Sequence, residues 1–440
     1  HHIALWTATM ARHFDASPAV TVRGLSMIPD KAQPDIPDPN YPNVKGLFYY
    51  FPMSIMYTSD ANGCRCIKDP LYLVNDYDFP TEYLSAATEY KEGIDNPNTY
   101  QIVKNGTTAV IEIPVSKAFS VQSQLLNNAD VLNPSNFNNL KGNVLWTTNT
   151  GLISKISIVN PSPSSLQDLT NSKIAVEIAP NQSGNAVVTL HNGSISAPVY
   201  WSWHIWVTDD PTNGVTYRSF NPIKRMKSDG TTEVIPDTGW KWMDRNLGAL
   251  TSSITASDWN KSIGLLYQWG RKDPIPPLVT RGNDLYEASG SIGRVRHRGA
   301  KNMTNAVSID DLRKFVLLSG AEVTNNLRLS VKNPLSLIYV NKEDNSGQAY
   351  YNNNVNLPVN WFGKSTTLPT NRLSELNLWS DNAQGKIEAV YNTDDKAKPY
   401  RDKSSYDPCP NGWRIPSMLV ANLASASYVD DIRIDFSPFG

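Results

Sequence analysis

Side chains able to do chemistry are scattered along this chain and form no recognisable catalytic pattern. The 440 residues contain six histidines, three cysteines and none of the nucleophile-elbow, phosphate-loop, dinucleotide-binding or zinc-helix motifs. His204 stands between tryptophans with no serine or cysteine nucleophile nearby, which favours a packed or hydrogen-bonded role over a catalytic base. Cys409, between two prolines, is interpreted as a structural thiol or half of a disulfide. We therefore expect no catalytic residues and no enzymatic activity.

The remaining cysteines and the paired acids give no metal or cofactor pattern. Cys64 and Cys66 are two positions apart, where a mutual disulfide is strained, and an odd cysteine count leaves a free thiol or a partner outside this sequence. Paired aspartates at 394–395 and 430–431 are not part of a calcium-loop pattern, so solvated turns are the default reading. We expect no metal and no cofactor.

Two short motifs place charged residues beside apolar ones. In residues 243–246, Asp244 and Arg245 are expected to lie on a strand and point to opposite faces, so that each needs its own partner. Residues 412–417 are interpreted in the same way, with Arg414 opposite Trp413. Both motifs favour a polar network that fixes an irregular domain.

Loop aromatics are the candidate ligand surface, because flat rings stack on sugars and anchor protein interfaces. The alternative, that Trp259, Trp361 and Trp379 all lie in the core, stays open. The candidate binding residues are Trp259, Trp361, Trp379, Asp381 and Asn382.

Composition indicates the framework that carries these residues. The net charge is -1 and only 18% of residues are charged, while Tyr (20) and Trp (12) are abundant. This is typical of extracellular all-β proteins and gives no field that would attract nucleic acid. No apolar run is long enough to span a membrane. The opening His1-His2 is expected to reflect a tag remnant or an ordered fragment, with any signal peptide already removed.

Five β-branched runs separated by turn signals predict a β-sandwich. They lie at residues 110–115, 152–159, 174–178, 186–190 and 199–207.

Outside these runs the pattern is less regular. Strands are predicted at residues 3–10, 47–51, 52–57 and 71–74, and a helix at 81–90. Beyond residue 230 the chain is predicted to form a loop-rich α+β domain. Its elements are a helix with apolar spacing at 308–318 and a strand at 335–340.

Seven of the 12 tryptophans fall in residues 198–274, which predicts a packing centre at the seam between two domains. Along the strand in this stretch, Trp201, Trp203, Ile205 and Val207 form the face expected to be core. Ser202, His204 and Trp206 lie on the other face.

Four motifs in order carry a family resemblance: Trp201-Ser-Trp-His-Ile-Trp-Val-Thr-Asp, Met243-Asp-Arg-Asn-Leu-Gly-Ala, Leu266-Tyr-Gln-Trp-Gly-Arg-Lys-Asp-Pro and Asp407-Pro-Cys-Pro-Asn-Gly-Trp-Arg-Ile-Pro-Ser. Together they resemble Bacteroidetes fimbrial and cell-surface proteins, in which fimbrillin-like β-sandwiches precede a major paralogous (FISUMP) domain with a C-type-lectin-like fold. Residues 49–56 and 62–66 look similar to the N-terminal part of the same proteins. The resemblance implies a secreted pilus component at or near the tip, associated with the outer membrane and acting in adhesion.

The chain departs from that family in two ways. The family continues further and ends in a strand whose cysteine can pair with the position of Cys409, whereas only 23 residues and no cysteine follow Ser417 here. The sugar-binding calcium motifs of C-type lectins are also missing, with residues 379–381 only a loose echo. A lectin-like fold therefore does not by itself imply lectin activity.

The resulting hypothesis is a mainly β chain with an N-terminal fimbrillin-like region (1–98), a β-sandwich (99–215) and a C-type-lectin-like domain (216–440). Its function is expected to be structural and adhesive, in a pilus assembled by strand addition, with residues 3–10 as the exchangeable strand. Partners are other pilus subunits and a host or bacterial surface protein or glycan.

Two other functional classes are compatible with the sequence. The alternative is a free-standing surface glycan-binding protein. A glycoside hydrolase, the third class, has no motif in its favour.

Overall fold

In the computed structural model, most elements of regular structure are strands. The prediction of a mainly β chain is therefore confirmed. No helix among the described residues is long and apolar enough to cross a membrane. The described residues are 3–11, 21–28, 49–57, 61–68, 90–217, 223–226, 232–235, 240–253, 259–262, 264–275, 313–317, 323–341, 378–379, 399–400 and 403–416.

Residues 99–208 form two packed sheets. One has the strand order β6-β12-β11-β8 and the other β7-β10-β9. Neighbours are antiparallel except β12 and β6, which are parallel. All five predicted strands are confirmed, whereas β6 and β8 were not predicted. The strands are β6 (Thr99–Val103), β7 (Ala109–Pro114), β8 (Leu140–Thr147), β9 (Ile153–Val159), β10 (Lys173–Ile178), β11 (Gly184–Asn192) and β12 (Trp201–Thr208).

Short helices connect these strands. The longest, α1, was not predicted, and all nine of its residues are buried. The helices are α1 (Ser116–Gln124) and α2 (Leu166–Leu169), with 3-10 turns at Ala129–Leu132, Pro134–Asn136 and Pro211–Asn213.

The small sheet has one face towards the core and one towards solvent. Along β10, alternate residues are buried, as expected for a half-covered strand. Its inner face meets the large sheet closely: a Cβ placed on Gly142 of β8 would lie 3.2 Å from Ile158 Cδ1. On the outer face, ion pairs join Lys173 to Glu112 (2.6 Å) and Lys155 to Glu177 (3.2 Å).

The two central strands of the large sheet, β11 and β12, are covered on both faces. Every residue of β12 is buried, which confirms the predicted core face. The opposite face, with Ser202, His204 and Trp206, is buried as well, because segments from the second half of the chain pack over it.

Four N-terminal strands, β1 to β4, form a five-stranded sheet with the distant strand β17, in the order β17-β4-β1-β2-β3. The predicted strand at 3–10 is confirmed, and the described residues of the runs predicted at 47–51 and 52–57 form one strand, Tyr49–Tyr57. The predicted elements at 71–74 and 81–90 lie outside the described residues, except for Tyr90. The strands are β1 (Ile3–Ala11), β2 (Thr21–Ile28), β3 (Tyr49–Tyr57), β4 (Ala61–Gly63) and β17 (Leu266–Gln268).

Three further sheets draw on distant parts of the chain, with orders β13-β16-β5-β21, β15-β14-β20 and β18-β19. The additional elements are β5 (Ile67–Lys68), β13 (Val215–Tyr217), β14 (Ile223–Met226), β15 (Thr232–Ile235), β16 (Trp240–Trp242), α3 (Trp259–Ser262), β18 (Arg313–Leu317), α4 (Val323–Lys332), β19 (Leu337–Asn341), β20 (Pro399–Tyr400) and β21 (Trp413–Arg414).

One predicted element has the wrong type. The helix expected at 308–318 is a strand over Arg313–Leu317, paired in parallel with β19. The Phe-Val-Leu run has strand propensity, and pairing with a strand about twenty positions later supplies support that local spacing does not reveal. The strand predicted at 335–340 is confirmed as β19.

The domain boundaries at 98/99 and 215/216 stay predictions. Within the described residues, one hydrophobic cluster extends continuously from Cys64 through the sandwich to Ile415.

Candidate functional site

The four sequence motifs meet in one buried region, here called the junction. It lies against the face of β11 and β12 that carries Ser202, His204 and Trp206. The indole N–H of Trp206 donates to the carbonyl of Ala249 (2.9 Å). The amide nitrogen of Asn185 donates to the carbonyl of Gly248 (2.8 Å). The strand motif and the 243–249 motif are therefore joined by hydrogen bonds that have no access to water.

His204 is the centre of this junction and is uncharged. Its Nε2 lies 2.9 Å from Asn185 Oδ1, an acceptor, so Nε2 carries the proton. Its Nδ1 then accepts from the hydroxyl of Tyr267 at 3.1 Å. Complete burial lowers the pKa of His204 to about 3. The structural role expected from the sequence fits this geometry, since the ring has both nitrogens occupied and no exposed surface.

A second polar group lies beside it. Lys272 Nζ donates to both carboxylate oxygens of Asp273, at 2.7 and 2.8 Å, and Ser202 Oγ donates to the same carboxylate at 2.7 Å. The ammonium also lies 4.3 Å from the ring centroid of Trp201. Burial lowers the pKa of Lys272 to about 8, and the neighbouring Asp273 opposes that shift. Lys272 and Asp273 are 2% and 3% exposed, so this pair attaches the third motif to β12 and offers no surface to a substrate.

Arg271 fixes the helix α4. Its guanidinium donates to the carbonyls of Ser330 (3.0 Å), Asn333 (2.9 Å) and Pro334 (3.0 Å), and also to that of Ser336. These carbonyls lie at and just beyond the C-terminal end of the helix, where backbone acceptors lack helical partners and a cation is favoured. Burial lowers the pKa of Arg271 to about 10.

The fourth motif is held by the start of the sandwich. Asn98 donates to the carbonyl of Asp407 at 2.9 Å and accepts from the indole N–H of Trp201 at 3.2 Å. Thr99 donates to the carbonyl of Pro408 at 2.5 Å. Residues just before and within β6 therefore hold a loop more than 300 positions away in the chain.

Asp407 organises that loop internally. Its carboxylate accepts from the backbone N–H of Cys409 (2.8 Å) and of Ile415 (2.9 Å). Burial nevertheless raises the pKa of Asp407 above its ordinary value.

A disulfide between Cys66 and Cys409 locks the junction to the N-terminal part of the chain. The two Cα atoms are 5.9 Å apart and the residues are separated by 343 positions. Of the readings left open for Cys409, half of a disulfide is therefore the one the structure adopts. Cys64 is a buried free thiol whose pKa is raised by burial.

The expectation that Asp244 and Arg245 need separate partners is wrong. Arg245 donates to both carboxylate oxygens of Asp244, at 2.6 and 2.9 Å, and to Thr208 Oγ1 at 2.9 Å. The two residues lie just beyond β16 in a bend, so the strand rule of opposite faces does not apply.

Of the predicted ligand residues, the described part of the chain contains Trp259 and Trp379. Trp379 is fully buried and packs on Trp269, with ring centroids 5.7 Å apart, so its ring has no face open to a sugar. Of the two placements left open for Trp379, the structure therefore shows the one in the core. Trp259 begins α3, while Trp361, Asp381 and Asn382 lie outside the described residues.

Chemically, the junction pairs its buried histidine, lysine and arginine side chains with polar partners, while in the described part of the chain the indole N–H groups of Trp203 and Trp379 are buried without a hydrogen bond. Its histidine, lysine and arginine side chains are all at least nine-tenths buried. In the described segments, no group of three or more His, Cys, Asp or Glu side chains is placed to hold a metal ion. The arrangement holds distant segments in one orientation, and this is the role its geometry supports.

Comparison with known proteins gives one match. Residues 1–66 match a family model described as "Domain of unknown function (DUF8290)", which ends at the disulfide-bonded Cys66. No curated protein and no solved structure matches the chain.

Proposed function

We propose that this chain is an exported structural and adhesive subunit of a bacterial surface pilus, at or near the tip, without enzymatic activity. The observation that carries the proposal is the convergence of the four family-resembling motifs on one buried junction. If the resemblance to the fimbrial family reflects a shared fold, the four motifs should lie close together in space although they are far apart in sequence. Fold resemblance alone does not establish function, so the proposal also uses the chemistry of the junction.

That chemistry supports a structural role for the junction over a catalytic one. His204, Lys272 and Arg271 are buried and hydrogen-bonded, and burial makes the His204 imidazole a weak base by lowering its pKa to about 3. The disulfide supports export, because such bonds persist mainly in oxidising compartments. Together these features favour a role outside the cytoplasm.

Assembly by strand addition is proposed to use β1. This strand pairs along its length with β2, but pairs with β4 only through Leu5 and Gly63. A strand held mainly from one side is suited to exchange, because few main-chain bonds are lost on its other side.

The test is incorporation into filaments on cells that make the protein. Immunogold labelling and detergent-resistant polymer ladders should detect the unaltered chain in pili. Leu5→Pro removes a strand N–H and should abolish the ladder, while Leu5→Ala keeps the backbone donor and should retain it. Label spread over cells that lack filaments, together with specific binding on a glycan array, would instead favour the free-standing glycan-binding protein.

A further inference from the structure

Five asparagines of this chain are followed directly by glycine, a pair of residues that can alter its own covalent structure. The backbone nitrogen of the glycine loses its proton and attacks Cγ of the asparagine side chain. A C–N bond forms, the Cγ–Nδ2 bond breaks, and the leaving nitrogen takes up a proton and departs as ammonia. Water then opens the cyclic imide to aspartate or isoaspartate. The pairs begin at Asn62, Asn105, Asn192, Asn213 and Asn411.

The folded structure controls how fast each pair reacts. Glycine favours the attack because it has no Cβ to restrict the backbone rotation that brings the two groups together. The side-chain amide must turn towards the glycine nitrogen, and that nitrogen must not be donating to a carbonyl. A pair held by hydrogen bonds or packing therefore reacts only after local opening, which costs free energy, whereas a surface loop avoids that cost.

The pair Asn105-Gly106 meets these conditions. It lies in the connection between β6 and β7, and both residues are exposed. Among the residues that the structure describes, neither the side-chain amide of Asn105 nor the N–H of Gly106 has a hydrogen-bond partner. A Cβ placed on Gly106 would have Asn181 Oδ1, at 3.7 Å, as its nearest neighbour, so the backbone has room to rotate.

The pair Asn192-Gly193 has the same two residues in the opposite environment. Asn192 Nδ2 donates to the carbonyl of Ser135 at 3.1 Å. The N–H of Gly193 donates to the carbonyl of Asn139 at 2.7 Å. Both groups that would have to meet are thus engaged elsewhere, and this pair should react more slowly than the pair at Asn105.

The other three pairs are restrained by pairing or packing. Gly63 lies in β4, with β17 and β1 on its two sides. Gly214 packs against the backbone of Trp242, where an added Cβ would lie 1.5 Å from the carbonyl oxygen, so it cannot rotate without moving β16. The pair at 411–412 lies in a turn that a backbone hydrogen bond of 3.0 Å closes.

We propose that Asn105 is a site of spontaneous deamidation, and that it converts before the other four Asn-Gly pairs of the folded protein. The product adds one negative charge to the exposed connection between β6 and β7, and in its isoaspartate form it adds one methylene to the main chain there. The protein therefore divides with time into two charge forms that differ at this residue. This inference stands on the surroundings of the five pairs and does not require the pilus assignment.

The experiment incubates the full, disulfide-bonded chain in mildly alkaline buffer, with a second sample in the same buffer containing urea. Ion exchange separates the more acidic form, and peptide mass spectrometry measures the amide-to-acid conversion at each of the five pairs. In the folded sample, Asn105 should convert at least about tenfold faster than any of the other four, because those require local opening. In urea, all five should convert at similar rates.

Two variants test the chemistry at the site. Gly106→Ala adds a methyl group where there is room for it, so it should slow the conversion of Asn105 at least about tenfold without lowering the urea midpoint. The matched control Thr107→Ala leaves the pair intact and should convert like the unaltered chain. Faster conversion at another pair in the folded protein, or an unchanged rate in Gly106→Ala, would overturn the proposal. None of these readouts involves filaments, so each is distinguishable from failure of the proposed function.

Discussion

The disulfide between Cys66 and Cys409 should make one of the largest contributions to the stability of the junction. In the chain-entropy model, a bridge closing a loop of 343 positions lowers the entropy of the unfolded chain by an amount worth about 5.8 kcal/mol at 25 °C. Measured losses for native disulfides are about 2–5 kcal/mol. We therefore expect Cys66→Ala combined with Cys409→Ala to lower the unfolding free energy by about 3–5 kcal/mol, with the entropic value as an upper limit.

The assay is urea denaturation followed by tryptophan fluorescence, with and without reductant. Reductant should lower the midpoint of the unaltered chain and leave that of the double variant unchanged. Cys64→Ala is the matched control: it removes a buried thiol but no disulfide, so its response to reductant should equal that of the unaltered chain. Equal sensitivity of the double variant and the unaltered chain to reductant would refute the assignment of the bridge.

Three further changes test the junction and the core. Because burial lowers the pKa of His204 to about 3, the unfolded state binds the extra proton below about pH 6.5, and stability should fall by up to about 1.4 kcal/mol per pH unit as pH drops from there towards 3; urea midpoints from pH 4 to 7 should show a shallower slope in His204→Gln, and identical slopes would contradict it. Arg271→Lys loses the fork of charge-assisted bonds to the end of α4 and should cost about 2–4 kcal/mol in thermal unfolding, whereas an unchanged midpoint would disprove that clamp. Trp379→Ala should cost about 3–5 kcal/mol in urea, against less than about 0.5 kcal/mol for the half-exposed Val103→Ala, and similar values for both would exclude a core tryptophan.

The sandwich was largely predictable because its signals are local. β-branched runs between turn residues mark β7 and β9 to β12 in the sequence. β8 (Leu140–Thr147) was missed because Lys, Gly and Asn separate its first apolar residue from the other three, so that no alternating or β-branched run is present. α1 (Ser116–Gln124) was missed for a similar reason: it is entirely buried but mostly polar, so its sequence has no apolar helical stripe.

The junction was only partly predictable because its bonds join residues far apart. The tryptophan-rich stretch did indicate dense packing, and His204 was expected to be structural. The partner of Cys409 lies 343 positions away, and the family pattern pointed to a cysteine further along the chain. Pairing of Asp244 with its neighbour depended on a bend that spacing does not reveal.

The proposed function requires an exported chain in which the disulfide between Cys66 and Cys409 joins the N-terminal part to the fourth motif. The most direct measurement is disulfide mapping by mass spectrometry of the protein released from the cell surface and alkylated without reduction. We predict one peptide pair joined through Cys66 and Cys409, with Cys64 alkylated only after denaturation. Alkylation of all three cysteines in the unreduced, denatured protein would contradict it.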